Sequence, residues 1–447
     1  MHETVYRVMR LLCAVVAAVP LGTNLGLVCV LWTLVSGQLL ATRGAVIPGL
    51  SALGLPAPAV RRAWAALGQG RWTSAALLDH WRQAVEQEGR WRAHEHEGYR
   101  PVAVDLTGFW RPRLRACPTT HYDGRAGKAL PAIPLGLVAR VGSVGSQRLG
   151  VPLRFVRADR ADPSEAAQAR ALVQAAGAVL DPQDVLVLDA GFGVRRLQEG
   201  GVTRYVVREA KNVTARRAQP PAYAGRGRPP TRGEVVRPLA RTYRGRPIPA
   251  TAPDRVTTWQ EDEAVIRAEE WADLVRPDAA PASPTFRLVA IHDPRWTEPL
   301  VLASSLAVSA RALRDLYLDR WPVEQLPLAA KQMLGAGRQF VSEPETCHRL
   351  PELALLAGAI LSYAAATQPA VPTGFWDRRP QPTPGRLRRV LAQARFPLDF
   401  PFPARIRQKA AVTDHLPKGF WGQRRPRSVE PTPAQSRGAS RAGSQAA

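Results

Sequence analysis

Cysteine and acid are both scarce in this chain, and each shortage excludes something. Only four cysteines occur in 447 residues, Cys13, Cys29, Cys117 and Cys347, far apart and without a C-x-x-C pair. Neither a disulfide framework nor a zinc ribbon is therefore expected, and a reducing compartment suits them. His94-Glu95-His96-Glu97 lacks the H-E-x-x-H spacing, and Cys117 with His121 has no second pair, so neither reads as a zinc site. No G-x-G-x-x-G or Walker-type loop occurs, which argues against a nucleotide cofactor. A long uninterrupted apolar run is missing too. Residues 11–42 carry no charge and follow Arg7 and Arg10, but Pro20, Gly22, Thr23 and Asn24 divide them into runs at 11–19 and 25–35. A membrane span needs about 20 apolar residues in one helix, so two buried helices, no membrane partner and a cytoplasmic location are expected.

What the chain has in excess is positive charge. Asp and Glu number 37 against 61 Lys and Arg, a net charge of +24 that calls for an anionic partner, nucleic acid or lipid. Apolar residues at 45% and 12 Trp exclude a wholly disordered chain, and the length allows two or three domains.

The pattern along the chain changes several times. PAPAVRRAWAAL (56–67) and TSAALLDHWRQAVEQE (73–88) read as helices around Gly68-Gln69-Gly70, with Thr73 or Ser74 as N-cap; this is a helix-turn-helix or an ordinary helical hairpin. From residue 102 the period becomes that of strands: 102–105, 132–144 and 149–156, then a helix over 164–177 and a strand at 184–189. The first and last of these strands each end in a carboxylate, Asp105 before Leu106-Thr107-Gly108 and Asp189 before Ala190-Gly191-Phe192. Taken singly each is a turn former or helix cap, but two in one sheet suggest a metal site. After a strand at 203–208 comes an Arg- and Pro-rich stretch, including Arg216, Arg217, Arg226, Arg228 and Arg232, and then an acidic patch around Glu261 and Glu270 expected to be an exposed face. Strands resume at 286–291 and 300–302.

Residues 309–334, SARALRDLYLDRWPVEQLPLAAKQML, start at an expected N-cap, Ser309, and restart as helix after Trp321-Pro322. Within them Tyr317, Arg320, Glu324 and Lys331 stand as Y-x2-R-x3-E-x6-K. Seven residues apart, Glu324 and Lys331 are expected on one helical face. On composition alone Tyr317 suits a core and Arg320 a surface ion pair with Asp315 or Glu324.

In this four-residue spacing the chain resembles the DDE transposases of bacterial insertion sequences of the IS-four type, whose hallmark is the YREK motif. VAVDLTG around Asp105 and LDAGF around Asp189 match the family's first and second Asp; the resemblance covers about residues 100–350 and, loosely, LGTNLGLVCVLWTLVSGQLL near the N-terminus. It implies an α/β protein with a ribonuclease H-like catalytic core, a mixed sheet flanked by helices, carrying a mainly β insertion, a helical N-terminal domain and a helical C-terminal region. The implied boundaries are a DNA-binding domain at 1–99, the core at 100–211 and 284–349, the basic insertion at 212–283, a C-terminal region at 350–420 suited to dimerisation, and a disordered basic tail at 421–447.

The resemblance further implies that Asp105, Asp189 and Glu324 hold two Mg²⁺ ions, with Mn²⁺ able to substitute, for in-line displacement at a phosphodiester. Hard carboxylate ligands suit that ion. Tyr317, Arg320 and Lys331, and more weakly Arg208 and Lys211, would contact DNA. An insertion aromatic, Trp259, Trp271 or Trp296, would stack on a flipped base. The expected partners are double-stranded DNA, as element ends and target, and a second copy of the chain in the DNA complex; the expected location is the nucleoid while acting. The readings that compete are a DNA-binding protein derived from a transposase but without turnover, and a membrane-anchored basic protein.

Overall fold

A computed structural model describes residues 2–407 except 116, 118, 125, 160, 224, 226–229, 281–282 and 373. The expected tail at 421–447, the end of the C-terminal region from 408, and Arg226 and Arg228 lie outside the described residues. The chain is a mixed α/β protein built on a mixed sheet flanked by helices.

The centre of the sheet is Asp184–Leu188, DVLVL, buried at every position. A strand apolar on both faces needs cover on both sides, and this one lies parallel between Arg100–Trp110 and Tyr205–Arg208. On one side the sheet continues antiparallel through Lys128–Val144 to Gln147–Arg157. On the other it continues antiparallel through Leu300–Ser304, Phe286–His292 and Ala264–Val275. The helix Glu165–Gly177 follows the hairpin, capped by Ser164, whose Oγ accepts from Ala167 N–H at 3.2 Å.

Period-2 alternation assigns the two faces. Val102, Val104, Leu186 and Leu188 pack with the helices Glu165–Gly177 and Gly193–Glu199. Ala103, Leu137 and Ala139 point the other way, into a large core shared with the N-terminal helices, Trp321–Leu328 and Pro344–Ala366. Asp105, two residues on from Ala103, belongs to this second face.

One boundary differs from the sequence expectation. The first core strand does not stop at Asp105 but runs to Trp110, so Leu106-Thr107-Gly108 is strand and not turn. Its antiparallel partner keeps pairing as far as Trp110↔Ala132, whereas its parallel partner leaves at Ala103↔Val187. Asp105 is thus mid-strand on one edge and beyond the end of its neighbour on the other. Gly108 is needed because a Cβ there would stand 2.6 Å from the His121 ring.

The uncharged residues 11–42 close the helix His2–Val15, fill Thr23–Val35 and form the short Gln38–Ala41, with the first two helices broken around Pro20. Thr23–Val35 is buried almost throughout, and its Gly26 lets Ala57–Gln69 approach so closely that a Cβ would lie 2.6 Å from Ala66 Cβ. Thr73 caps Ser74–Glu88, which buries Leu77, Leu78 and Trp81; Trp72 Nε1–H donates to Ala66 O at 2.9 Å across the Gly turn. Among the described residues one helix, Pro344–Ala366, is long and apolar enough to cross a membrane, and 83% of its most apolar window is buried inside the protein. Its apolar side chains are consumed within the chain, so they offer no free face for a second copy.

Residues of the basic insertion join the main sheet: Arg255–Glu261 and Ala264–Val275 form a hairpin that pairs onto Phe286–His292. The acidic patch is not the idle exposed face expected. Glu270 is buried against Arg287 at 3.1 Å, and Glu261 binds Arg314 at 2.9 Å and Arg295 at 3.2 Å, because these strands turn their acids toward arginines of neighbouring elements.

Candidate active site

Three elements distant in sequence carry the acidic residues. Asp105 sits half-buried on the central strand. Asp189 follows Leu188, where the chain leaves the sheet, and its Oδ1 accepts from Gly191 N–H at 2.8 Å in a local turn. Glu324 lies in the first turn of Trp321–Leu328, which restarts after a break at Asp319 and Arg320.

Their fields overlap. Burial pushes the Asp105 carboxyl up to about 6; Arg320 pulls against this, while the charges of Glu324 and Asp189 add to it. Like charges brought close are costly unless a cation sits among them. The resident cation is Arg320, which pairs with Glu324 one turn on and feels Asp105, Asp189 and Tyr317 as well. Its guanidinium lies 5.8 Å from the Tyr317 ring centre. Arg320 thus makes the ordinary i,i+4 pair that composition alone suggested, but at the centre of the acidic cluster and with its side chain only 11% exposed. Its Nε and Nη1 are buried without a hydrogen-bond partner. Two unused donors of a fixed fork suit a tetrahedral oxyanion.

Lys331 does not simply follow Glu324 along one α-helical face. Pro327 lies inside the helix, where it can donate no hydrogen bond, and from Ala329 to Met333 the helix widens to π geometry. Lys331 is thereby turned toward the central strand. Its ammonium donates to Thr107 Oγ1 at 2.7 Å and lies 5.2 Å from the Phe109 ring centre. Burial lowers the ammonium to about 8, and Asp105 pulls it back up. Thr107, within the run 106–108 that the sequence suggests as a turn, and Phe109 after it hold the lysine; the run of β-formers following Asp105 is the signal that marks them as strand.

The remaining candidates separate. Arg208 ends its strand exposed, and Lys211 pairs with Glu298; among the described residues no hydrogen bond or ion pair ties either to the three carboxylates. Trp271 is fully buried, with Nε1–H donating to Thr251 O and Ala252 O, so its faces are closed to a base. Trp296 has Arg314 over its ring at 5.4 Å, and Trp259 packs partly buried on the core. Exposed aromatics lie elsewhere: Trp321 is 58% exposed and Phe340 67%.

The histidine pair has a partner that spacing alone does not reveal. His94 Nδ1 and His96 Nε2 lie 2.9 and 2.7 Å from one oxygen of Asp319, and Arg148 lies 2.7 Å from the other. Burial alone would raise Asp319, but the two imidazoles and Arg148 bring it down to about 2. His121 pairs with Glu165 at 2.8 Å and stacks on Trp110, while Cys117 turns its thiol to Thr119 O.

Among the described residues no group of three or more His, Cys, Asp or Glu side chains stands close enough together to hold a metal ion. With Glu324 held by Arg320, the acidic cluster is near but not gathered. No family model and no curated protein matches the chain.

Proposed function

We propose that the chain is a DDE transposase of the insertion-sequence kind, with a ribonuclease H-like core, which binds the ends of its element, cleaves them and transfers the 3′-hydroxyl ends to target DNA. The observation that carries this reading is the mutual electrostatic contact of Asp105, Asp189, Glu324 and Arg320, drawn from two adjacent strands and a helix 134 residues further along. A mixed sheet with carboxylates where two parallel neighbours end agrees with it.

The donor set fits Mg²⁺. All three groups are hard oxygen ligands, and the Asp105 carboxyl, raised first by burial and further by the charges of Glu324 and Asp189, would be relieved by a divalent cation. Asp105, Asp189 and Glu324 would hold the ions, which supply charge stabilisation to the entering and leaving oxygens of an in-line displacement. The protein's own residues do the rest. A DNA phosphate meeting the free Nε and Nη1 of Arg320 competes for the guanidinium and releases Glu324 toward the two aspartates. Lys331, fixed by Thr107, presents a point charge beside Asp105, and Tyr317 braces Arg320 from its other side. The net charge of +24 supplies a non-specific hold on DNA, steeply weakened by salt. We place the working protein on the nucleoid as a dimer around two ends.

The decisive experiment uses a plasmid carrying the inverted repeats that flank the gene. Mg²⁺-dependent cuts at the repeats that vanish in Asp189→Asn and Glu324→Gln, with end binding retained, are expected. End binding by the folded wild type without cutting in Mg²⁺ or Mn²⁺ would instead make it a binding protein without turnover, the reading that the ungathered carboxylates favour.

A further inference from the structure

Beyond the acidic cluster the chain builds a groove of about 570 Å³ from three segments far apart in sequence: the turn after the buried N-terminal helices, the end of the central strand, and the stretch that follows the Lys331 turn. It is cationic and aromatic at once. Arg43, Arg113 and Arg338 are exposed along it, no acidic residue among the described ones lines it, and Trp110 and Phe340 supply rings. Phe340 is 67% exposed, an apolar ring held in water, while Trp110 has one neighbour stacked on it, His121, at 5.5 Å.

The groove is held in place by the backbone. Phe340 N–H donates to Gly44 O at 3.2 Å, and at Gly44, where φ is +92°, a Cβ would lie 1.9 Å from Arg338 O. Only glycine permits that approach. Arg111, buried beneath, donates to Val341 O and ties the strand end to the same segment.

One side chain here lacks what a folded protein normally provides. Gln339 is only 5% exposed, and neither its amide oxygen nor its amide nitrogen has a hydrogen-bond partner. A buried amide without partners is costly, and this one lines the groove, where a ligand can supply both a donor and an acceptor. A paired donor and acceptor is what the edge of a nucleobase presents. Rings for its faces, arginines for its phosphates and an amide for its edge complete the complement.

We propose that this groove seats an unpaired nucleotide of a DNA strand, its base against Phe340, its edge read by Gln339 and its flanking phosphates met by Arg43, Arg113 and Arg338. Continuity with the acidic cluster favours this occupant: Trp110 lies five residues beyond Asp105 on one strand, and Gly337 packs against Lys331. The proposal rests on the reading above only in taking the strand to be DNA.

The test uses the full chain and a fluorescent single strand of about 12 nucleotides, within the range one such surface covers, with 2-aminopurine at its centre. Binding is expected to quench the 2-aminopurine by stacking. Phe340→Ala should abolish the quenching and weaken binding about tenfold. Gln339→Leu should leave quenching but remove most of the preference between oligo(dA) and oligo(dT), and Arg338→Ala should lower the salt slope by about 1. Circular dichroism confirms folding, and Phe340→Leu, which keeps an apolar side chain but no ring, stands in if the alanine variant fails to fold.

Undiminished quenching and affinity in a folded Phe340 variant would overturn the proposal, as would an RNA strand bound tenfold more tightly than its DNA counterpart. Plasmid cleavage is scored separately. Phe340-dependent quenching by a protein that never cuts keeps the groove and removes the transposase reading; cutting without such quenching removes the groove alone.

Discussion

The strand Asp184–Leu188 carries an aspartate at its first residue and another just past its last, and the two live under opposite conditions. Asp184 is wholly buried and paired: Arg140 bonds one carboxylate oxygen, to which Asp181 N–H also donates at 2.9 Å, and Arg100 lies 3.3 Å from the other. Asp189 is partly exposed, makes one local turn bond, and otherwise contributes its charge to a group of carboxylates. A carboxylate surrounded by donors and cations serves the fold, whereas one left beside its own kind is a candidate for chemistry. The same contrast recurs among the arginines. Arg314 is buried and divided among Glu261, Asp293 and Asp315 with one nitrogen idle, while Arg320, also buried, has one carboxylate partner and two nitrogens idle.

Substitution at the two ends of this strand should therefore produce different kinds of damage. Asp189→Asn is expected to lower Mg²⁺-dependent cleavage at least about a thousandfold, about 4 kcal/mol of barrier, while thermal melting stays within a few degrees of wild type. Asp184→Ala should do the reverse. It removes the buried partner of Arg140 and leaves it only Asp181, at 2.8 Å, at a cost of up to about 3–5 kcal/mol read by urea unfolding. Equal stability of the two variants would erase the distinction drawn here.

A smaller effect sharpens it. With the metal removed, Asp105 carries a carboxyl raised to about 6, so its ionisation costs stability as pH rises through that value, and nothing is lost below the ordinary aspartate range. Asp105→Asn should accordingly stabilise the metal-free protein by about 1–2 kcal/mol at pH 7 and leave it unchanged near pH 4, even as it abolishes cleavage. A neutral-pH loss of stability in denaturant titrations would contradict this.

Smallest is the histidine pair. The Asp319 hydrogen bond raises His96 above its usual value, against the opposing pull of burial. The stabilisation is full below the ordinary histidine pKa and fades as pH climbs through the raised one. Wild-type stability should thus fall by about 1 kcal/mol between about pH 6 and pH 8, and Asp319→Asn should flatten that decline.

Much of the sheet was legible because its signals are local. The alternation at 102–105, the unbroken DVLVL and the helix over 164–177 each rest on local pattern, and each lies where expected. The end of the first strand was misread because strand length depends on a partner. Residues 106–108 look like a turn until Lys128–Val144 is laid beside them. The rotation of Lys331 was misread for a related reason: Pro327 was visible, but whether a proline kinks, breaks or widens a helix depends on what receives the turned side chain, here Thr107. Trp271, a stacking candidate through the family resemblance, is excluded by burial alone.

By itself the sequence determined the charge of the protein, the period of its elements, and the YREK spacing that brought a nuclease-like chemistry into view, because charge, period and spacing are properties of neighbours along a chain. Only the tertiary structure decided that the Arg320–Glu324 pair lies at the centre of the acidic cluster, that Asp319 collects two histidines, and that Gln339 is buried unpaired in the groove. Each of these depends on which side chain is denied water and which partner reaches it, and segments two hundred residues apart settle that together.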